Sequence, residues 1–543
     1  MLSAKKIPVF IPLLFVFAYN VFGQHKPVIY YISPSGNDAN SGLSPLQSWI
    51  SISKINTHRF LPGDKILLQA GIKFNGSIQL DSINSGVTGK PVTIGSYGIG
   101  KAIIYSRNIT GIYGYNCSNI RIINLIVRGN GTDSNQVAGI HFYTDRKDKY
   151  CSGIEINNCE ASGYNQQGIF FSAAEDEKVT GFDHVRIIYC KAYNNGEAGI
   201  SSYAGQTLFH HKNFYIGFCK AYQNKGILSK TNNHSGNGVV MGQVENLIIE
   251  HCEAYENGEN NRCTGGGPVG IWVWLCKNAV IQYCESHHNH AGLTKDGGGF
   301  DIDGGAVDCI IQYNYSHDNE GAGYLLAEYG AGLPFSNNCI RFNISRDDGR
   351  KNSYGAISIW GVDNNNKVRN SFVYNNTIYV SGNTAIEGIP CAVRLMGPYF
   401  QNVLVAHNIF TSDAGAALIN STDEPDTDAI RFSDNNFYSY NNIWEIHWGR
   451  FEPSSIIAWF QLVVPGEKPI KVNPEFTGPG RSITIGDTRK LRSALAGYKL
   501  KRSSPLLKMS MVKRKLPIKY PAADFFGHPL SSKTRAFAGI TIQ

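Results

Sequence analysis

Short alternations of apolar and polar residues recur along most of the chain, separated by turns rich in Gly, Asn and Asp. Alternation with a period of two predicts β-strands of about five residues. An apolar run that ends in Cys or Asn recurs every 29 to 33 residues, with its last residue at Cys159, Cys190, Cys219, Cys252, Cys284, Asn314, Asn343, Asn376 and Asn408. Nine units of nearly constant length predict a repeat architecture.

Each unit also contains a second strand, usually opened by Gly, as in "GIFFS", "GIWVW" and "GFDID". Two or three strands per unit leave no room for helices. Such a unit cannot bury its apolar face alone, so the units must stack, each strand pairing in parallel with its equivalent about 4.8 Å away. The sequence therefore predicts an all-β fold, the parallel β-helix.

Stacking also explains the recurring Cys and Asn residues. Residues at one repeat position form a ladder inside the helix, where Cys behaves as a small hydrophobe and Asn can hydrogen-bond to its copies. We therefore expect Cys159 to Cys284 of this series to form a buried ladder, with disulfides or a metal site as the alternative. The other seven of the twelve cysteines are left unassigned.

The two ends of the chain carry a resemblance. The stretch "YYISPSGNDANSGLSPLQSWISISKI" with "LPGDKILLQAGIKF", and the late "SSPLLKM", "DFFGHPL" and "AFAGI", resemble the opening and closing segments of secreted right-handed parallel β-helix enzymes that act on carbohydrates. Glycoside hydrolases, polysaccharide lyases and epimerases share that scaffold, so the resemblance implies carbohydrate chemistry without choosing an activity. It implies an N-terminal cap and β-helix over residues 24–414, and a less regular, basic completion over 415–543.

The first 23 residues predict a secretory signal peptide, because two lysines precede an uncharged apolar run that ends in small residues. We therefore expect an exported, extracellular or periplasmic protein, without a membrane span and monomeric. The formal net charge is +8, but residues 485–543 alone hold thirteen Lys and Arg against two Asp. Since the rest of the chain has no basic groove interleaved with aromatic residues, no nucleic-acid partner is expected.

Aligning the second strands predicts which side chains point away from the core. One outward column contains His141, Phe170, Ser201, Val240, Trp272, Asp301, Leu325 and Ser358. A second contains Tyr143, Ser172, Tyr203, Gly242, Trp274, Asp303, Ala327 and Trp360. Two exposed tryptophans beside two aspartates are typical of a sugar-binding cleft, because aromatic rings pack on pyranose faces while carboxylates address hydroxyls.

Asp301 and Asp303 are the predicted catalytic pair, with Glu328 as a third carboxylate one turn along. Two strand rises separate the Cα atoms of the pair by about 6.6 to 6.8 Å, which slightly favours an inverting glycosidase over a retaining one. The predicted substrate contacts are Trp272, Trp274, Tyr203, Trp360, Lys295 and His290. The partner is then a poly- or oligosaccharide.

Metal sites are weaker interpretations of the same residues. "DGGGFDIDGG" occurs once, whereas calcium-binding Gly and Asp repeats work in tandem, and the spacing of an EF-hand is absent. No metal cofactor is expected, with Ca²⁺ shared by Asp296, Asp301, Asp303 and Glu328 as the alternative. Zinc at His287, His288 and His290 lacks a regular tetrahedral set.

The sequence favours a secreted glycoside hydrolase. A Ca²⁺-dependent polysaccharide lyase acting on a uronate polymer is the second hypothesis, since Lys295, His290 or Arg262 could act as a base. The predicted cleft is mostly acidic and aromatic, which is unfavourable for a uronate polymer without metal. The third hypothesis is a non-catalytic glycan-binding or adhesion protein. The sugar, the linkage and the position of cleavage along a glycan stay open.

Overall fold

The structure is a computed structural model. It describes residues 25–541 except 148, 177, 206–208, 331–333, 383–386, 466–467, 510, 512–519 and 532–536. The predicted signal peptide lies outside the described residues. In the described part of the chain, no helix is long and apolar enough to cross a membrane.

Three long parallel sheets form the walls of a β-helix, because each turn contributes one strand to each sheet. Sheet A contains the strands Ile29–Ile32, Lys65–Gln69, Val92–Tyr97, Ile120–Ile123, Cys151–Asn157, Phe182–Ile188, His211–Gly217, Val244–Glu250, Lys277–Gln282, Ile310–Gln312, Cys339–Arg341, Phe372–Tyr374, Val403–Ala406 and Ile430–Ser433. Sheet B contains Lys73–Asn75, Ala102–Arg107, Leu125–Gly129, Glu160–Ser162, Lys191–Tyr193, Lys220–Tyr222, Glu253–Tyr255, Glu285–His287, Tyr315–His317, Ile344–Arg346, Thr377–Val380, Ile409–Ser412 and Asn436–Ser439. Sheet C contains Ile78–Leu80, Ile112–Tyr115, Ile140–Thr144, Gln167–Ala173, Ala198–Tyr203, Asn237–Gly242, Val269–Trp274, Gly298–Asp303, Tyr324–Glu328, Gly355–Gly361, Cys391–Met396, Ala417–Ser421 and Ile446–Trp448. A small pair, Val368–Arg369 with Phe400–Gln401, lies beside them.

The predicted inward residues of sheet C are buried, and its strands pair in the predicted register. Ile169 pairs with Ile200, Ile271 with Phe300, and the outward Trp272 with Asp301. The parallel β-helix prediction is therefore confirmed.

The interior ladder is also confirmed. All twelve cysteines are free and buried, and the amide of Cys252 contacts the sulfur of Cys284 at 3.3 Å. The ladder continues as asparagines, where the Nδ2 of Asn343 donates to the Oδ1 of Asn376 at 3.0 Å. A second buried ladder, which the sequence analysis did not identify, contains Asn195, Asn224, Asn257, Asn289, Asn319 and Asp348. Both ladders satisfy polar groups within the core and fix the register of the turns.

The ends depart from the regular repeat. The α-helix Ile52–Asn56 covers the N-terminal end, and the α-helices Ile456–Val463 and Leu491–Ala494 follow the last turns. The short 3₁₀ helices are Pro45–Gln47, Ser82–Asn84, Thr488–Lys490, Ala496–Tyr498 and Pro505–Leu507. The C-terminal segment folds back on the sheets, where Leu491 and Tyr498 join a buried cluster with Tyr315.

Candidate active site

A cavity of about 800 Å³ opens on the outer face of sheet C, at the level of Asp301 and Asp303. Residues of both predicted outward columns line it, from Phe170 to Trp360, together with residues from the loops that precede the strands. Its polar and aromatic lining includes Tyr203, Asn237, Trp272, Trp274, Lys295, Asp296, Asp301, Asp303, Tyr329, Tyr354 and Trp360. The strand Gly298–Asp303 places two carboxylates in this cavity because alternate residues of a strand share one face.

Asp301 is buried, with 3% of its surface exposed. Its Oδ1 has no hydrogen-bond partner among the described residues. Burial raises the pKa of Asp301 well above its usual range, and the nearby Asp303 and Asp296 raise it further. This environment therefore favours the protonated, neutral form of the carboxyl.

Asp303 is half-buried, and its Oδ1 accepts a hydrogen bond from the amide of Gly304 at 2.9 Å. Burial raises the pKa of Asp303 to about 8, opposed by the Gly304 amide and increased by the charges of Asp296 and Glu328. Asp303 therefore holds a proton near neutral pH that it can donate into the cavity.

Asp296 is the third aspartate of the cavity, and it lies on the turn just before the strand. Its backbone is left-handed, with φ of 61°, a region that Asp tolerates better than most residues. Its Oδ1 accepts from the hydroxyl of Tyr354 at 2.5 Å and its Oδ2 from the amide of Gly267 at 2.6 Å. Burial raises the pKa of Asp296, but these two donors oppose the rise by stabilising the anion.

Gly267 allows this arrangement because its loop lies directly on the turn that carries Asp296. A Cβ at Gly267 would lie 1.9 Å from the carbonyl oxygen of Lys295 and 2.7 Å from the Cβ of Asp296. No side chain fits in that space. The sequence indicates Asp296 only as a possible calcium ligand, because a contact between two distant loops leaves no periodic signal.

The exposure predicted for Trp272 is wrong, whereas Trp274 is half-exposed as expected. Trp272 is 5% exposed, because its Nε1 donates to the Oδ1 of Asn237 at 3.0 Å and His234 packs against its ring. Trp274 leans over Gly242, where a Cβ would lie 2.6 Å from its Nε1. Its ring centroid lies 6.1 Å from that of Tyr203. Both tryptophans line the cavity.

Two of the predicted site residues do not line the cavity. Glu328 is 1% exposed, and its carboxylate accepts from the amides of Gly305 at 3.2 Å and Gly330 at 2.6 Å. It lies on the inward side of the strand alternation and outside the lining of the cavity, so the position of Glu328 does not support the catalytic role expected of it. The Nδ1 of His290 is 3.1 Å from Glu320, so this imidazole faces a neighbouring turn.

The carboxylates of the cavity are not a compact ligand set. Among the described residues, two groups have ligand atoms within 4.8 Å of one another: Glu285 with His287 and His317, and His288 with His317 and Asp318. Both lie on or beside sheet B. Neither contains Asp296, Asp301, Asp303 or Glu328, the acids considered for Ca²⁺, and neither includes His290.

Comparison with known proteins agrees with this architecture. Residues 179–373 match a family model described as a right handed beta helix region. The chain is a right-handed parallel β-helix protein. A curated relative, the lacto-N-biosidase of Bifidobacterium longum subsp. longum, is 24% identical in an alignment of 455 positions that covers 66% of this chain and 28% of that protein. This chain therefore spans less than a third of the length of that relative.

Solved structures show the same fold. The lacto-N-biosidase of family GH136 from Eubacterium ramulus matches with a TM-score of 0.54 and 18% identity, over 78% of this β-helix chain and 68% of that chain. The native form of the same enzyme matches with a TM-score of 0.52. At this identity the structural likeness shows the fold alone.

Proposed function

We propose that this β-helix protein is an exported glycoside hydrolase whose catalytic carboxylates are Asp303 and Asp296. The observation that carries the proposal is that three aspartate carboxyl groups line one aromatic cavity in different environments. Burial raises the pKa of both Asp296 and Asp303, to about 8 for Asp303, but two hydrogen bonds to Asp296 stabilise its anion, whereas Asp303 accepts one. Two carboxyl groups whose environments separate their protonation states are what acid-assisted glycoside cleavage requires.

In this mechanism Asp303 is the general acid. Its proton goes to the glycosidic oxygen as the bond to the anomeric carbon breaks. Asp296 is the anionic partner and faces the positive charge that develops at that carbon. Water then bonds to the carbon and gives a proton to the Asp303 carboxylate, which restores the acid. Tyr354 and Gly267 hold its carboxylate in place, and Glu328 is a positioning residue that orders the chain after Asp303 through Gly305.

The role that we propose for Asp301 differs from the catalytic role predicted from the sequence. Because its pKa is held well above the usual range, its neutral carboxyl can donate a hydrogen bond to a sugar hydroxyl. A bound sugar would supply a hydrogen-bond partner for the Oδ1 of Asp301, which has none among the described residues. We assign Asp301 to substrate binding.

A neutral glycan suits the cavity better than a uronate polymer. Lys295 is the one Lys or Arg among the described residues of the lining, against Asp296, Asp301, Asp303 and Glu197. A uronate chain would add its own carboxylates beside these four acidic side chains, with one lysine to offset them, and this repulsion grows as the acids ionise. The relatives are lacto-N-biosidases, so glycans that end in lacto-N-biose are the first substrates to test.

Product analysis tests the function. The purified protein is incubated with lacto-N-biose glycans, plant polysaccharides and alginate, and products are separated and weighed by mass spectrometry. A hydrolase adds one water to each cleaved bond, whereas a lyase leaves an unsaturated sugar without added water. Unsaturated products, or binding without any product, would contradict the proposal.

We further propose that the reaction needs no metal and that the enzyme acts as a monomer. EDTA treatment should leave the rate unchanged, and restoration of a lost rate by Ca²⁺ would contradict this part. Secretion by the native host is checked by following the chain in culture fractions.

A further inference from the structure

A row of aromatic side chains continues along sheet C from the cavity toward the N-terminal end. The row, called here the aromatic track, comprises Tyr113, Tyr115, His141, Tyr143, Phe170 and Tyr203. Strand pairing places Tyr113, His141 and Phe170 in the column of Trp272, and Tyr115, Tyr143 and Tyr203 in the column of Trp274. From Asp303 to Tyr115 there are six turns, or about 29 Å.

The track joins two cavities on the same face. Phe170 and Tyr203 belong to the lining of the active-site cavity. Tyr113 and Tyr115 line a second cavity of about 470 Å³. Only the turn that carries His141 and Tyr143 lies between the two linings. Asn56, Gln79, Asp81 and Arg59 supply polar groups in the second cavity, which suits the hydroxyls of a sugar.

Neighbouring rings of the track support one another. The rings of Tyr115 and Tyr143 lie 6.1 Å apart and nearly parallel, and those of His141 and Phe170 lie 4.8 Å apart. The hydroxyl of Tyr115 donates to Asp145 at 2.7 Å, and that of Tyr203 donates to Glu175 at 2.6 Å. These contacts hold the rings in fixed positions while leaving 37% of Tyr115 exposed.

From the strand of Tyr113 to the strand of Trp272, neither outward column contains Lys, Arg, Asp or Glu. A neutral ligand is therefore favoured over an anionic one. On the opposite side of the cavity, Trp360 and Met396 pack against a buried cluster that contains Leu325 and Ala327. A long ligand held at Asp303 can therefore extend along the track, but meets packed side chains in the other direction.

We propose that the aromatic track and the second cavity form a distal binding site for a neutral oligosaccharide chain that is longer than the unit bound at Asp303. The proposal rests on the proposed glycosidase function and deepens it. The substrate class is then an extended neutral glycan, held across several turns of sheet C. Contact with half-buried aromatic rings supplies affinity, and the polar groups of the second cavity bind its far end.

Calorimetric titration tests the distal site on the full chain carrying Asp303→Asn, which prevents turnover. The probes are neutral oligosaccharides of two, four and six sugars that end in lacto-N-biose, with hexagalacturonate as the acidic probe. Affinity should rise about tenfold or more from the two-sugar to the six-sugar probe. Adding Tyr115→Ala with Tyr143→Ala should remove that rise.

The matched control is Tyr193→Ala with Tyr222→Ala, a stacked, half-buried pair on sheet B with rings 4.9 Å apart. It should keep the full dependence on chain length. Equal affinity for all three neutral probes, tighter binding of hexagalacturonate, or loss of the length dependence in the control would overturn the distal site.

The two proposals fail in different ways. Length-dependent binding without hydrolysis by the unsubstituted chain would contradict the glycosidase and leave the distal site standing. Hydrolysis without length-dependent binding would contradict the distal site and leave the glycosidase standing. Absence of both would overturn both.

Discussion

The three aspartate carboxyl groups of the cavity differ because their partners differ. Asp296 has a hydroxyl and an amide to stabilise its charge, Asp303 has one amide, and one oxygen of Asp301 has no partner among the described residues. Sequence spacing placed Asp301 and Asp303 together on one face. It could not rank their protonation states, because those depend on loops that cover the face.

The pH dependence of catalysis follows from Asp303. Its carboxyl has a pKa raised to about 8 and must be protonated to act as the acid. We expect kcat/KM to fall as pH rises through about 8, since that profile reports the free enzyme. Initial rates on a lacto-N-biose glycan check this. A limb that falls near pH 5 instead would contradict the assignment.

The buried carboxyl of Asp301, which we assign to substrate binding, should lower the free energy of unfolding. Because the pKa of this carboxyl is raised on folding, the unfolded chain loses the proton first as pH rises above about 4, and folding becomes less favourable. Asp301→Asn should therefore stabilise the protein more at pH 7 than at pH 4. The gain at pH 7 should be about 1 to 3 kcal/mol in the free energy of unfolding, measured by thermal unfolding at both pH values. The exposed Asp428→Asn is the control, and equal effects at both pH values would be inconsistent with this account.

At the scale of elements, the ladders set the register on which the cavity depends. Asn343 accepts from the backbone amide and the Nδ2 of Asn314, and donates to the carbonyl of Ile311. Removing this side chain leaves buried polar groups without partners.

Asn343→Ala should therefore destabilise the fold by about 1 to 3 kcal/mol. Denaturant unfolding followed by circular dichroism measures the change. The exposed Asn364→Ala, in a loop of the same β-helix, serves as the control. A loss no larger than that of the control would show that the ladder does not stabilise the stack.

Most of the regular stack could be predicted from the sequence, because strand alternation and the Cys and Asn series repeat at a fixed interval. The outward columns follow directly from that register. The covering of Trp272 by Asn237 and His234 could not be predicted, nor could the contact of Tyr354 with Asp296. These contacts join loops of irregular length, for which one sequence contains no periodic signal.

At the scale of the whole molecule, a buried ion-pair network attaches the C-terminal segment to sheet B. Glu285 accepts from the amides of Ile485 at 2.7 Å and Gly486 at 2.8 Å, and also contacts His317. Burial alone would lower the pKa of His317, but hydrogen bonds to Asp318 and Glu285 outweigh it and raise the pKa to about 8.

The attachment should weaken in alkaline solution. Because the folded pKa of His317 is raised, its contribution is complete below the unfolded value of about 6.5 and is lost as pH rises through about 8. Hydrogen exchange of residues 483–488 should accelerate between pH 6.5 and 9 beyond the intrinsic rate. His317→Ala should abolish this extra dependence, whereas the exposed His184→Ala should keep it.

The most direct test of the central claim compares two substrates in Asp303→Asn and Asp296→Asn. A lacto-N-biose glycan needs a proton for its leaving group, whereas the dinitrophenyl glycoside of lacto-N-biose does not. Asp303→Asn should lower kcat/KM by about 10²- to 10⁴-fold on the glycan and far less on the dinitrophenyl glycoside. Asp296→Asn should lower both alike. Equal losses for Asp303→Asn on both substrates, or full activity of either variant on the glycan, would contradict the account.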